Sequence, residues 1–238
     1  MVKILRSRRR RWRGVPLGGP LQRGCKFCLA ANDGEAKTRP ANAGQRDGPR
    51  LATTHPPLPE RHGRRRCLPT KTDKLPSGGD WLHEIKHDGF RIIARKKGSQ
   101  VRLYSRPGND LTHRFPLIVE TLGRLRSRSC IIDGEAVACD DNGVASFDLV
   151  RHQRANGSIF LYAFDLIELN GDDLRRDPLE VRKATLASIV AKASPGIRFN
   201  EHIGGDGPTV FAHACKLGLE GIVSKRKDSA YRSGRSPD

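Results

Sequence analysis

Nine residues, HEIKHDGFR (83–91), set one lysine among carboxylates. Lys86 stands two residues after Glu84 and two before Asp88, with Gly89 and Arg91 following. A lysine in such company is either half of a surface ion pair or a nucleophile. A nucleophilic amine must be unprotonated, whereas a free lysine at neutral pH is almost wholly protonated; burial and neighbouring cations lower its pKa. Arg91, Arg106 and Lys225 are the candidate cations, and Gly89 would let a backbone or ligand approach closely. Lys-x-Asp-Gly alone is a pattern that chance supplies often, so the two readings stand side by side at this point.

Four segments downstream bring related chemistry: LYSRPGNDLTHRFP (103–116), IIDGEAV (131–137), LYAFDLIELNG (161–171) and EGIVSKR (220–226). Taken singly, each has an ordinary explanation. Phe164 lies in an apolar run where most phenylalanines are core, Glu135 would serve as an exposed turn carboxylate, and Glu220 as a charge beside a helix end. In order and spacing, however, the five segments resemble the nucleotidyltransferase motifs of ATP-dependent DNA ligases, and most closely the adenylation domain of the bacterial end-joining (ligase D) type. The connecting stretches CLPTKTDKLPSG, DPLEVRKA and FAHACKLGLEGIVSKRKDSAYRSGRS share the resemblance, which covers residues 67–238.

That resemblance implies a three-step reaction with ATP as AMP donor and Mg²⁺ or Mn²⁺ as cofactor. Lys86 would attack the α-phosphate to give lysyl-AMP; AMP would pass to a DNA 5′-phosphate; a 3′-hydroxyl would then displace AMP and seal the strand. Carried over by position, Glu84 stands beside the adenine edge and Arg91 and Arg106 contact ribose, phosphate or nicked DNA. Glu135 serves the ribose or metal, Phe164 stacks on adenine, Glu220 is a second metal-linked carboxylate and Lys225 contacts phosphate. These residue types suit the reaction, because phosphoryl transfer is mostly positioning and charge neutralisation around oxygens. The implied partners are nicked or broken double-stranded DNA and the end-binding protein Ku, in DNA repair by non-homologous end joining, and the implied location is the cytoplasm of a bacterium, at the nucleoid. The sequence stops at SGRSPD. In the resembling family a Trp-x-Lys-x-Lys segment and an OB-fold domain follow, so impaired activity and an uncovered sheet edge are expected. The competing reading is a catalytically inactive ligase remnant that acts only as a basic nucleic-acid-binding protein.

The elements that must position these residues follow from pattern and charge. Of the net charge of +18, residues 1–66 hold +13, from 17 Lys+Arg against 4 Asp+Glu. This segment is rich in Arg, Gly and Pro and lacks any period, which reads as a disordered basic extension able to attract polyanions. Residues 67–238 are mildly basic and hold the folded domain. Within it RIIARKKGSQVRLYSR reads as two strands about Gly98, CIIDGEAVACDDNG as two strands about a tight turn at Asp133–Gly134, and FLYAFDLIELNG as a buried strand entering a hairpin. Helices are expected within PGNDLTHRFPLIVETLGRLRS, where Leu117, Ile118, Leu122 and Leu125 fall at helical spacings after a turn, after Asp177 as N-cap with Pro178 at the first position, and over PTVFAHACKLG, stopped at Gly218. IRFNEHI reads as one short strand. Interspersed antiparallel strands with a few flanking helices give an α+β class. No apolar run approaches the roughly 20 residues needed to span a bilayer, so no membrane role is expected. Cys130 and Cys139 read as free thiols, and Cys25/Cys28 as a coincidental half of a zinc-site spacing, since no second Cys/His pair follows at a standard interval.

Overall fold

The strands of this chain fall into two main sheets that face each other across the candidate residues. The computed structural model describes residues 2–6, 67–141, 143–152, 158–193, 195–232 and 234–235. In chain order the elements are β1 (Val2–Arg6), β2 (Cys67–Leu68), β3 (Thr70–Lys71), β4 (Trp81–Ile85), β5 (Phe90–Lys97), β6 (Gln100–Ser105), α1 (Pro116–Gly123) and β7 (Ser129–Val137). There follow α2 (Phe147–Arg151), β8 (Phe160–Leu169), β9 (Asp172–Asp173), α3 (Leu179–Val190), β10 (Ile197–Phe199), β11 (His202–Gly204), α4 (Gly207–Lys216), β12 (Gly221–Arg226) and β13 (Gly234–Arg235).

One sheet has the order β10-β8-β7-β5-β6, with β9 paired to β8; the other has the order β11-β4-β12-β1-β3, and β13 pairs with β2 alone. Pairing is antiparallel except for β10 with β8, β1 with β3 and β13 with β2. The main core lies on one face of the first sheet, where Ile92, Leu103, Ile132, Leu161 and Leu166 pack under Ile118 and Leu122 of α1 and Leu186 of α3. Burying side chains of this size stabilises by about 1.5–3 kcal/mol each, set against the entropy of ordering them. A smaller cluster of Leu75, Ile85, Val210, Ala214 and Ile222 joins the second sheet to α4.

The α+β class and the mostly antiparallel pairing agree with the sequence reading, and so does the β5–β6 hairpin, where Gly98 takes the left-handed φ of 59°. Four details differ. IIDGEAV is not a hairpin: β7 runs straight through Asp133–Gly134, pairing with β5 on one side and β8 on the other. Gly134 is needed there for closeness rather than for turning, since a Cβ would stand 2.6 Å from the Tyr162 carbonyl oxygen. α3 is capped by Pro178 in an extended conformation, one residue later than the Asp177 cap the pattern suggests. IRFNEHI divides into β10 and β11, which belong to different sheets, with Asn200 and Glu201 between them.

The fourth difference concerns residues 1–66, read as a structureless extension. Val2–Arg6 instead form β1, paired along its whole length with β12 and flanked by β3. One edge of β12 is thereby covered. Residues 7–66, including Cys25 and Cys28, lie outside the described residues. Neither Cys130 nor Cys139 is in a disulfide among the described residues; Cys130 is buried and Cys139 half-buried. Among the described residues no helix is long and apolar enough to cross a membrane.

Candidate active site

A cleft between the two sheets collects the predicted residues. Glu84, Lys86, Arg91, Arg106, Glu135, Phe164 and Lys225 all line it, although they come from five separate segments of the chain. Glu220 reaches it through an ion pair with the Lys86 amine.

Lys86 leaves the end of β4 and is tied to β12 by its backbone N–H, which donates to the Gly221 carbonyl at 2.9 Å. Because Ile85 pairs with Ile222 in that antiparallel ladder, Lys86 falls opposite Gly221, and Glu220, one residue further along, meets its amine. Gly89 makes the following turn possible: a Cβ there would overlap the Ala136 carbonyl oxygen. Glu84, 2 % exposed, receives two lysines, Lys183 from α3 at 2.7 Å and Lys225 from β12 at 2.8 Å. Burial alone would raise its pKa, but the two cations outweigh that and hold the carboxyl below its ordinary value.

Phe164 owes its position to a β-bulge. Asp133 pairs with Asp165 and Gly134 with Ala163, so Phe164 has no partner on β7. Strict alternation would send Phe164 and Asp165 to opposite faces, yet both line the cleft. Phe164 is the one half-buried residue in the otherwise buried run 160–168, and the Arg91 and Lys225 side chains lie over its ring, 5.2 and 4.7 Å from the centroid. Its ring therefore faces the site and not the core.

Arg91 is locked in a bidentate pair with Asp133, at 3.0 and 2.8 Å, and the Tyr231 hydroxyl donates to the same carboxylate at 2.7 Å. Burial would lower the guanidinium, but Asp133 overrides it and raises its pKa. Of the candidate cations beside the lysine, Arg91 is paired with Asp133 and Lys225 with Glu84. Glu135 behaves differently. Its carboxyl is hydrogen-bonded to no other described residue, and burial pushes it up to about 7, against the pull of Arg91 and Lys86. A carboxyl in that condition is suited to meeting a ligand hydroxyl or a cation.

Several contributors escaped the sequence reading. Lys183 and Arg182 are 1 % and 2 % exposed, and Arg182 forms a fork on Asp165 at 2.7 and 3.0 Å. The signal was present: Leu179, Arg182, Lys183, Leu186 and Val190 occupy one helical stripe, which puts two cations on the buried face of α3. His87 stacks on Tyr162 with centroids 3.9 Å apart and rings 9° from parallel, and bonds Asn200 at 3.0 Å. Burial brings its pKa down to about 4, so the ring is neutral at pH 7. Tyr231 lies in the basic loop after β12, where no periodicity marks it.

The ATP dependent DNA ligase domain model matches residues 69–238, which hold every candidate site residue of this cleft. The chain belongs to the ATP-dependent DNA ligase domain family. Among curated relatives, the multifunctional non-homologous end joining protein LigD of Pseudomonas aeruginosa is 38% identical over 167 residues, covering 68% of this chain and 20% of that protein. DNA ligase 2 of Thermofilum pendens is 32% identical over 174 residues, 66% of this chain and 29% of that ligase. The chain thus spans a fifth to under a third of these relatives. Among solved structures, the ligase domain of LigD from M. tuberculosis superposes with a TM-score of 0.65 at 31% identity, covering 73% of this chain and 56% of the other. A mycobacterial DNA ligase D complexed with ATP and MES gives 0.62 at 31% identity, covering 73% and 57%. The nucleotidyltransferase fold of this ligase domain therefore accounts for the two sheets and the cleft between them.

Proposed function

We propose that this chain carries out the nucleotidyl-transfer chemistry of an ATP-dependent DNA ligase, with Lys86 as the residue that takes AMP. The observation that carries the proposal is the convergence on one cleft of an amine, an aromatic ring turned out of its strand and a ring of cations and carboxylates. A relative of the same fold is described as a complex with ATP, which supports ATP as the nucleotide.

In this reading the adenine stacks on Phe164, with its edge toward Glu84, and Arg106 and Lys225 meet the phosphates. Lys86 must lose a proton before its lone pair can attack, and the Glu220 carboxylate in contact with its Nζ is placed to receive it. The N–P bond forms as the bond from the α-phosphorus to the pyrophosphate oxygen breaks, and pyrophosphate leaves with the electron pair. AMP would then move to a DNA 5′-phosphate, and a 3′-hydroxyl would displace it to seal the nick. Oxygen donors suit a hard cation, and Glu135, with no hydrogen-bond partner among the described residues, fits the carboxylate half of a Mg²⁺ site shared with Glu220. Bound there, Mg²⁺ would neutralise charge on the phosphate oxygens. The proposed polymer substrate is nicked or broken double-stranded DNA, with Ku as a further partner in end joining at the bacterial nucleoid; the names of the LigD relatives support the end-joining role.

The test is incubation with Mg²⁺ and α-labelled ATP beside Lys86→Ala, read by denaturing gel and intact mass. An acid-labile AMP adduct that requires Lys86 is expected. Absence of the adduct from a folded wild-type chain would leave only the nucleic-acid-binding reading.

A further inference from the structure

One edge of β12 is turned away from β4, and it is occupied by β1. β12 contributes Lys225 and Val223 to the cleft, and on its other side it pairs with β4, which carries Glu84. Its free edge would present a row of unsatisfied N–H and C=O groups. Val2–Arg6 supplies the missing partner, in antiparallel register from Val2 opposite Lys225 to Arg6 opposite Gly221. On the far side of the strand, Lys3 and Ile4 pair with Thr70 and Lys71, and the Thr72 N–H donates to the Ile4 carbonyl at 3.1 Å. The segment is bound on both faces as well as on both edges. Ile4, 8 % exposed, lines the nucleotide cleft, while Leu5 packs against the Leu75, Ile85, Val210, Ala214 and Ile222 cluster on the opposite side.

We propose that the β12 edge is a strand-acceptor site, that its ligand is the chain's own Val2–Arg6, and that docking of this strand completes the nucleotide cleft. The ligand class is an extended peptide that presents one branched apolar side chain to the cleft and the next to the α4 cluster, recognised by main-chain pairing with side-chain pockets on alternate faces. Val2–Arg6 is then a wall of the cleft. Nucleotide affinity becomes linked to strand docking, because the competent cleft exists only in the docked state. The affinity part of this inference rests on the ATP reading above; the docking part does not.

The experiment uses the full chain, hydrogen–deuterium exchange by mass spectrometry and binding of a fluorescent ATP analogue, on wild type, Ile4→Pro, Ile4→Asp and Lys3→Gln. Proline at position 4 removes an N–H and forbids continuous pairing. Expected results are slow exchange at 2–6 and 221–226 in wild type and Lys3→Gln, with protection at both segments lost in Ile4→Pro while 131–137 stays protected. Nucleotide affinity should fall about tenfold or more in Ile4→Pro and Ile4→Asp, the order of effect of losing one buried branched side chain. A synthetic peptide of residues 1–6 should restore protection at 221–226 and nucleotide affinity in Ile4→Pro, while the chain's own 2–6 stays in fast exchange. Free exchange at 2–6 in wild type, or full protection of 221–226 in Ile4→Pro, would overturn the strand-acceptor site. Coupled protection in a chain that binds no ATP analogue would uphold the site and overturn the nucleotide reading alone.

Discussion

Replacing Lys183 by methionine isolates what holds Glu84 ionised inside the protein. The carboxylate sits between Lys183 at 2.7 Å and Lys225 at 2.8 Å, with the Asn200 amide at 3.4 Å. Methionine nearly matches the lysine stem in length, so packing is kept and the charge alone is lost. Removing one partner of a buried pair costs about 3–5 kcal/mol when the remaining charge is left alone. Here Lys225 remains, and Lys183, whose own pKa burial lowers, no longer has to be desolvated, so a loss of about 2 kcal/mol at pH 7 is expected. The pH dependence gives the sharper test. In wild type the Glu84 pKa lies below the ordinary glutamate value of 4.5, so its contribution is fully present above that pH and is lost as pH falls through the folded value. In Lys183→Met the folded pKa moves up toward or past the unfolded one, and the gap between variant and wild type should narrow as pH falls from 7 to 4. Urea unfolding at pH 4, 5.5 and 7, with the Lys183→Met/Glu84→Gln double variant to close the cycle, measures both effects. The double variant should recover at least half of the loss at pH 7. A gap that widens in acid, or no recovery on removing Glu84, would refute the argument that the lysine acts through the carboxylate.

Phe164→Ala should weaken ATP binding by about 1–3 kcal/mol, the usual range for losing a base-stacking ring, with little change in unfolding midpoint because the bulge keeps that ring out of the core. Isothermal titration beside thermal melts separates the two. Tyr231→Phe should cost about 1.5–3 kcal/mol in urea unfolding, because the buried Asp133 carboxylate loses a charge-assisted hydrogen bond. Burial holds the His87 pKa at about 4 in the fold against an ordinary value of 6.5, so its contribution is present above 6.5 and lost toward pH 4. His87→Phe keeps the stack on Tyr162 and should shed roughly 2–3 kcal/mol of acid sensitivity between pH 7 and 4, read as the change in stability gap between variant and wild type.

The parts of this protein that were legible in its sequence are those where one local pattern carries the information. The hairpin at Gly98 and the helix stop at Gly218, with φ of 59° and 72°, are set by single residues, and both were visible. The eight motif residues were visible because their types and order are specific, and seven of them line one cleft. What stayed hidden depends on pairing between distant segments. IIDGEAV has the look of a turn because Asp-Gly is a turn dipeptide. Only the strands on both sides of β7 convert that glycine into a point of close approach to Tyr162.

Val2–Arg6 makes the same point from the other direction. Five residues, VKILR, sit at the head of a strongly basic stretch whose composition argues against order, and composition averages away one short apolar alternation. Whether such a strand docks is decided by the acceptor. β12 offers five paired positions, an apolar cluster for Leu5 and a cleft wall for Ile4. Local sequence supplies the compatibility, and the sheet edge more than two hundred residues away supplies the reason. The nucleotide cleft is therefore built from both ends of the chain, and an assay on residues 67–238 alone would test a site with one wall removed.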